Sequence, residues 1–175
     1  MKLVAFAASS SSKSINKKLA TFAAGLLDDV TVEVLDLNDY ELPLFSQDKE
    51  IEIGQPDLAK SFLSKLAECD AIVISFAEHN SSYSAAFKNL FDWCSRINPK
   101  VYQNKPMVLM ATSPGGRGGA GVLSIALDSA PRFDGIVKGS FLLPSFYDNF
   151  DVENNQLTDA DLLAKLKAEM EKLKN

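Results

Sequence analysis

The chain is poor in the side chains on which most catalysis and most metal binding rest. Among its 175 residues there is one histidine, His79, and there are two cysteines, Cys69 and Cys94. A single histidine excludes multi-histidine metal sites, and any Ser–His or Cys–His nucleophile pair would have to use that one residue. Two cysteines without CxxC spacing are too few for a disulfide scaffold, and both fall in apolar-periodic segments where small buried thiols are common. Positive charge is short as well. The 18 Lys and Arg stand against 23 Asp and Glu, a net charge of −5, which argues against a protein that grips nucleic-acid phosphates through a basic field. No run approaches the ~20 apolar residues of a membrane span. The apolar opening Met1–Ala8 stops in serines and is shorter than the apolar stretch of a signal peptide. It therefore reads as a buried strand, and the cytoplasm is the expected location.

What the chain does have is an alternation of short apolar runs with helix-period segments. Its length suits one domain, residues 1–175. Strands are expected at Lys2–Ala7, Thr31–Asp36, Ala71–Phe76, Met107–Thr112 and Ile136–Leu143. Helices are expected over Ser14–Leu27, from Pro56 onward, over Ala85–Ser95, Val122–Ser129 and Thr158–Leu173. Thr158 and Asp161 have the spacing of a capping box that opens the last of these. A long polar connection fills the space from Asn38 to Pro56. Strands and helices that alternate in this way give an α/β protein with a parallel sheet, and right-handed crossovers make it a doubly wound three-layer sandwich. Ligands of such folds sit beyond the carboxyl ends of the strands, where the strand order reverses. Three loops follow strands there.

The first, Ala8–Asn16, is a serine-rich strand-to-helix turn with Lys13 beside it. Free N–H groups, hydroxyls and one ammonium suit a phosphate monoester, or Ser14 is simply an N-cap. The glycines of a P-loop are absent. The second, Ala77–Ser84, gathers the histidine, Glu78, Asn80 and Tyr83. It offers polar groups to the edge of a planar ligand, or it caps the helix that follows. The third, Ser113–Gly121, carries five glycines in the seven residues 115–121. Gly116, Gly118 and Gly121 spell GxGxxG, but they follow the fourth strand instead of the first, so a dinucleotide fingerprint is rejected. The glycines still allow backbone to approach a flat ring closely.

In order along the chain the three loops resemble those of the NAD(P)H-dependent FMN reductase family of quinone, azo-dye and chromate reductases. Ser9, Ser14 and Asn16 match the first family loop, and Ser11 stands where that family has arginine. Glu78, Asn80, Ser82, Lys88, Asn89, Asp92 and Trp93 match the second, from which Ala77, His79, Ser84 and Phe87 depart. Ser113, Gly115, Gly118 and Gly119 match the third. The resemblance implies a flavodoxin-like three-layer sandwich with a five-stranded parallel sheet and helices on both faces. It implies bound FMN, with NADPH or NADH as co-substrate. The phosphate would be held by Ser9, Ser11, Ser14, Ile15 and Asn16. The isoalloxazine would be held by Ala77, Glu78, His79, Asn80, Ser113, Gly115 and Gly118. Hydride would pass from a nicotinamide to the flavin and then to a small aromatic or oxyanion acceptor by ping-pong kinetics, with no named catalytic side chain, since the flavin does the chemistry. A homodimer or homotetramer is implied, with Phe87, Phe91, Trp93 and Tyr102 either as its contact surface or as core. Alanine at Ser14 and Asn16 is expected to weaken FMN binding, and Ser84 in place of proline to loosen the start of its helix. The alternatives are a flavodoxin-like electron carrier and a non-enzymatic binding domain.

Overall fold

A computed structural model describes residues 1–174. Its main sheet has five parallel strands: β1 (Lys2–Ala8), β2 (Thr31–Leu35), β3 (Ala71–Phe76), β4 (Lys105–Thr112) and β5 (Gly135–Leu143). Their spatial order is β2-β1-β3-β4-β5. The central strands read as unbroken apolar runs because both faces are covered, and every residue of β3 is buried. Edge strand β2 is largely half-exposed.

Helices α1 (Ile15–Ala24) and α7 (Ala160–Glu171) cover one face, and Leu19, Leu166 and Met170 pack beneath them. On the other face lie α3 (Asp57–Glu68), α4 (Ala85–Ile97) and α5 (Ala120–Ser129), whose Phe62, Leu66, Phe87, Trp93 and Leu123 close a second core. The expected strands and helices are all present, with ends shifted by up to a few residues. Two short helices, α2 (Gln47–Ile53) and α6 (Phe146–Asn149), and a small antiparallel pair, β6 (Phe150–Asp151) with β7 (Gln156–Leu157), add to them. Helix α2 lies inside the stretch read as a polar connection. It buries no residue, so it has no apolar stripe to betray it. Ser46 caps its start by accepting from the Lys49 amide, and Gly54 ends it. The cap of α7 is Asp159 in place of Thr158, since its carboxylate accepts from the Asp161 and Leu162 amides.

The aromatics of α4, and Tyr102 beyond it, belong to the core. Phe87, Trp93 and Tyr102 are buried and only Phe91 is half-exposed. Trp93 Nε1 donates to the Pro43 carbonyl at 2.8 Å. Asn89 accepts from the Phe45 amide at 2.8 Å and donates to the carbonyls of Leu42 and Pro43. The Asn89 and Trp93 pair is therefore a fastening that holds the strap 42–45 against α4.

Candidate functional site

In this strand order the chain leaves β1 toward β2 on one side and returns to β3 on the other. The reversal opens a crevice at the carboxyl ends of β1 and β3. The buried polar side chains of the described residues collect around it: Ser9, Ser14, Asn16, Ser75, Ser84 and Thr112. A buried polar group is costly unless hydrogen-bonded; three of these six, Asn16, Ser75 and Thr112, form one network, and Ser84 makes a second tie between a strand end and a helix start.

Asn16 lies at the centre of that network. Its Oδ1 accepts from Ser75 Oγ at 2.7 Å and from the Thr112 amide at 3.1 Å, and its Nδ2 donates to the Thr112 carbonyl at 3.1 Å. One side chain in the first turn of α1 thus joins the ends of β3 and β4. Thr112 Oγ1 donates onward to the Leu143 carbonyl of β5 at 2.8 Å. Ser84 Oγ donates to the Ala8 carbonyl of β1 at 2.8 Å and accepts from the Phe87 amide as the N-cap of α4. Serine here fastens the helix start, the capping role that the sequence left as an alternative for this loop.

The first loop ends in a similar cap. Ser14 Oγ accepts from the Lys17 amide at 3.1 Å, and Ser9 Oγ accepts from the Ser11 amide at 3.2 Å. The Ile15 and Asn16 amides, the first two of α1, have no acceptor among the described residues. They point along the positive end of the helix dipole. Lys13, Lys17 and Lys18 surround that turn, and a hollow of about 310 Å³ lies between them and Asn155. Lys17 is ion-paired with Asp36, and this hydrogen bond holds the Asp36 carboxyl below the usual carboxylate range. A protein that is acidic overall therefore concentrates positive charge at one helix start.

In the second loop, His79 and Ser82 exchange backbone hydrogen bonds of 3.0 and 3.1 Å across Asn80 and Ser81. Both intervening residues have left-handed backbone, φ 50° and 63°. The loop is a tight reversed turn that holds His79 and Asn80 exposed. The third loop is seated on β5. The Gly115 carbonyl accepts from the Gly118 and Ser145 amides, and the Ser113 carbonyl accepts from Phe146. Gly118 has φ 59°, and a Cβ there would lie 2.9 Å from the Leu143 carbonyl oxygen.

The three loops enclose an open cavity of about 240 Å³. Of the twelve residues expected at the site, nine line it: Ser9, Ser11, Ser14, Ile15 and Asn16 from the first loop, Ala77, Glu78 and His79 from the second, and Ser113 from the third. Asn80, Gly115 and Gly118 do not line it. Asn80 stands outward on its turn, while Gly115 and Gly118 shape the loop from behind. Sequence reasoning missed Thr112, Pro114 and Tyr147 as lining residues. Tyr147 is 65% exposed and arrives from α6, just past the left-handed Ser145. It sits ~30 residues beyond the third loop in a segment with no periodic pattern.

Fold and site define a flavodoxin-like α/β protein whose switch-point crevice opens on a lysine-flanked helix start with two open amides, donors of the kind that suit an anion. The sequence profile of the family described as NADPH-dependent FMN reductase matches residues 1–148, and the chain belongs to that family. It is 36% identical over 88 residues to an NADPH:quinone oxidoreductase of Arabidopsis thaliana, covering 50% of this chain and 43% of that protein. It is 35% identical over 109 residues to a 2-hydroxy-1,4-benzoquinone reductase of a Burkholderia species, covering 61% of this chain and 57% of that one. The matches thus span about half the length of these curated relatives. Among solved structures, a flavoenzyme NAD(P)H:(acceptor) oxidoreductase of Paracoccus denitrificans superposes with a TM-score of 0.77 at 20% identity, over 99% of this chain and 97% of that one. No helix among the described residues is long and apolar enough to cross a membrane.

Proposed function

We propose that this chain is an FMN-dependent NAD(P)H oxidoreductase that delivers electrons to quinone, azo, flavin or metal-oxyanion acceptors. The observation that carries the proposal is the convergence of three loops on one crevice. A helix start with two open amides faces it, and the buried polar side chains of the fold brace it from behind.

The residues present fit the cofactor. The Ile15 and Asn16 amides, with the Ser9, Ser11 and Ser14 hydroxyls, would hold the phosphate. Lys13 and Lys18 supply the charge that the family's arginine supplies elsewhere. The walls Ala77–His79 and Ser113–Pro114 would flank the ring, with Tyr147 at the mouth. Bound FMN supplies the two-electron chemistry. The protein's part is binding, orientation and electrostatics. Backbone amides left free along the crevice would favour negative charge on the ring without a titrating side chain. His79 is exposed, is bonded through its backbone and lines the site.

One shared stacking surface for nicotinamide and acceptor gives ping-pong kinetics, and a homodimer or homotetramer completes the site. The exposed apolar residues Leu44, Ile51, Ile53 and Leu58 favour a second copy over a monomer. The purified chain is expected to carry, or to bind on addition, one FMN. It is then expected to oxidise NADH or NADPH with a quinone, giving parallel initial-velocity lines. A chain that binds no FMN overturns the proposal. FMN binding without NAD(P)H turnover would instead mark an electron carrier. Light scattering that returns the monomer mass overturns the oligomer.

A further inference from the structure

Glu78 is a lining residue whose carboxylate is already engaged. Its Oε1 accepts from the Val122 amide at 2.9 Å, across 44 residues of sequence. Helix α5 needs that acceptor. Its own N-cap position is Gly119, in left-handed backbone, and no side chain of its own caps it. The first turn of a helix leaves N–H groups without intrahelical partners, and a carboxylate there is favoured by both the hydrogen bond and the helix dipole. Gly121 completes the arrangement. A Cβ at Gly121 would land on Glu78 Oε1, while its next neighbours lie at 3.6 and 3.7 Å, and its backbone is not left-handed. The last glycine of the GxGxxG sequence is thus clearance for the Glu78 carboxylate.

We infer that Glu78 is a positioning residue, a latch that locks the second loop to the third by capping α5 from across the crevice, and so sets the gap between the two walls of the site. The link to the cofactor rests on the FMN reading above, whereas the latch itself does not. Loop two runs directly into Glu78 from β3, and loop three runs directly into α5. The sheet and Asn16 fix the bases of the walls Ala77–His79 and Ser113–Pro114, and this hydrogen bond ties loop two to loop three beyond those bases, where a planar ring would lie.

Three variants separate the latch from a general loss of fold. Glu78→Ala removes it. Gly121→Ala keeps the carboxylate but displaces it. Glu78→Gln keeps a neutral oxygen that accepts the same bond. In the cofactor-free protein, hydrogen–deuterium exchange is expected to rise by on the order of tenfold or more at the α5 start and loop three in the first two variants, and only slightly in the third. The α1 and α7 amides stay unchanged. FMN affinity, read by quenching of flavin fluorescence, is expected to fall at least tenfold in Glu78→Ala and Gly121→Ala and by no more than a few-fold in Glu78→Gln. Unchanged exchange in both latch-breaking variants overturns the latch. Raised exchange with unaltered FMN affinity overturns its control of the site. Failure of the parent chain to bind FMN refutes the functional reading and leaves exchange to decide the latch.

Discussion

Replacing Asn16 with alanine separates two explanations of why an asparagine stands at the start of α1. If the side chain faced a phosphate, the variant would fold normally and bind FMN poorly. The structure turns it inward, onto Ser75 and Thr112, which are 0% and 1% exposed. Alanine then strands the Thr112 amide and carbonyl and one serine hydroxyl. A hydroxyl can rotate and a carbonyl tolerates a lost donor better than an amide tolerates a lost acceptor. The amide loses its Asn16 acceptor, and an orphaned buried donor costs ~1–3 kcal/mol. With the two lesser losses the total is about 3 kcal/mol, a large share of the ~5–15 kcal/mol that stabilises a typical domain. For a chain of this length that lowers Tm by roughly 6–12 °C. Urea unfolding of the cofactor-free variant is the assay, with a lower midpoint and an unchanged m-value as the expected signature. The phosphate contact in this view is the Asn16 backbone amide, which alanine keeps. A variant with parental stability and greatly weakened FMN binding would refute the inward assignment.

Other consequences are equally direct. Gly118→Ala should destabilise by about 2 kcal/mol or more, because it combines a left-handed backbone with a Cβ against the Leu143 carbonyl. Gly116→Ala, whose nearest neighbour lies at 4.0 Å, should stay within ~0.5 kcal/mol on the same denaturant curve. Burial pushes the Cys94 thiol up to about 12, and Cys69 is raised for the same reason. Neither should react with a disulfide reagent at pH 8 until the chain is unfolded, when both react. Glu33 is held low chiefly by its hydrogen bond from Lys65, and Asp36 by that from Lys17. Carboxyls depressed in the folded state contribute stability that is present above their unfolded values and lost as pH falls through about 4 and below. Asp36→Asn should flatten the acid limb of the stability curve, and an unchanged limb would mean that the Lys17 pair contributes nothing.

The sheet and its helices were legible because each element must hide an apolar face. A strand buried on both sides, such as Ala71–Phe76, can only be written as an unbroken apolar run, and a helix on a sheet must repeat its apolar residues every three or four positions. Helix α2 has no such obligation, and α6 and the β6–β7 pair are too short to show a period. The turn chemistry of the site was also legible. A serine-rich strand-to-helix turn, a polar tight turn and a glycine cluster mark the ends of three strands, and nine of the twelve residues they nominated do line the cavity. Their spacing could not reveal which way each side chain faces. Asn16 was read as a ligand contact and does line the cavity, yet its side chain turns inward as a fastening, and Ser84 takes the capping role that the sequence left as an alternative. Glu78 was read as a ring contact and also caps a helix 44 residues away. The scarcity of histidine and cysteine left little room for side-chain nucleophiles, and the family to which the chain belongs is one of NADPH-dependent FMN reductases. Local sequence specifies periodicity, caps and turns, because these depend on neighbours a few residues apart. Hydrogen bonds such as Asn16 to Thr112, Glu78 to Val122 and Asn89 to the 42–45 strap join segments that meet only after the sheet has formed, and those pairings are decided by tertiary packing.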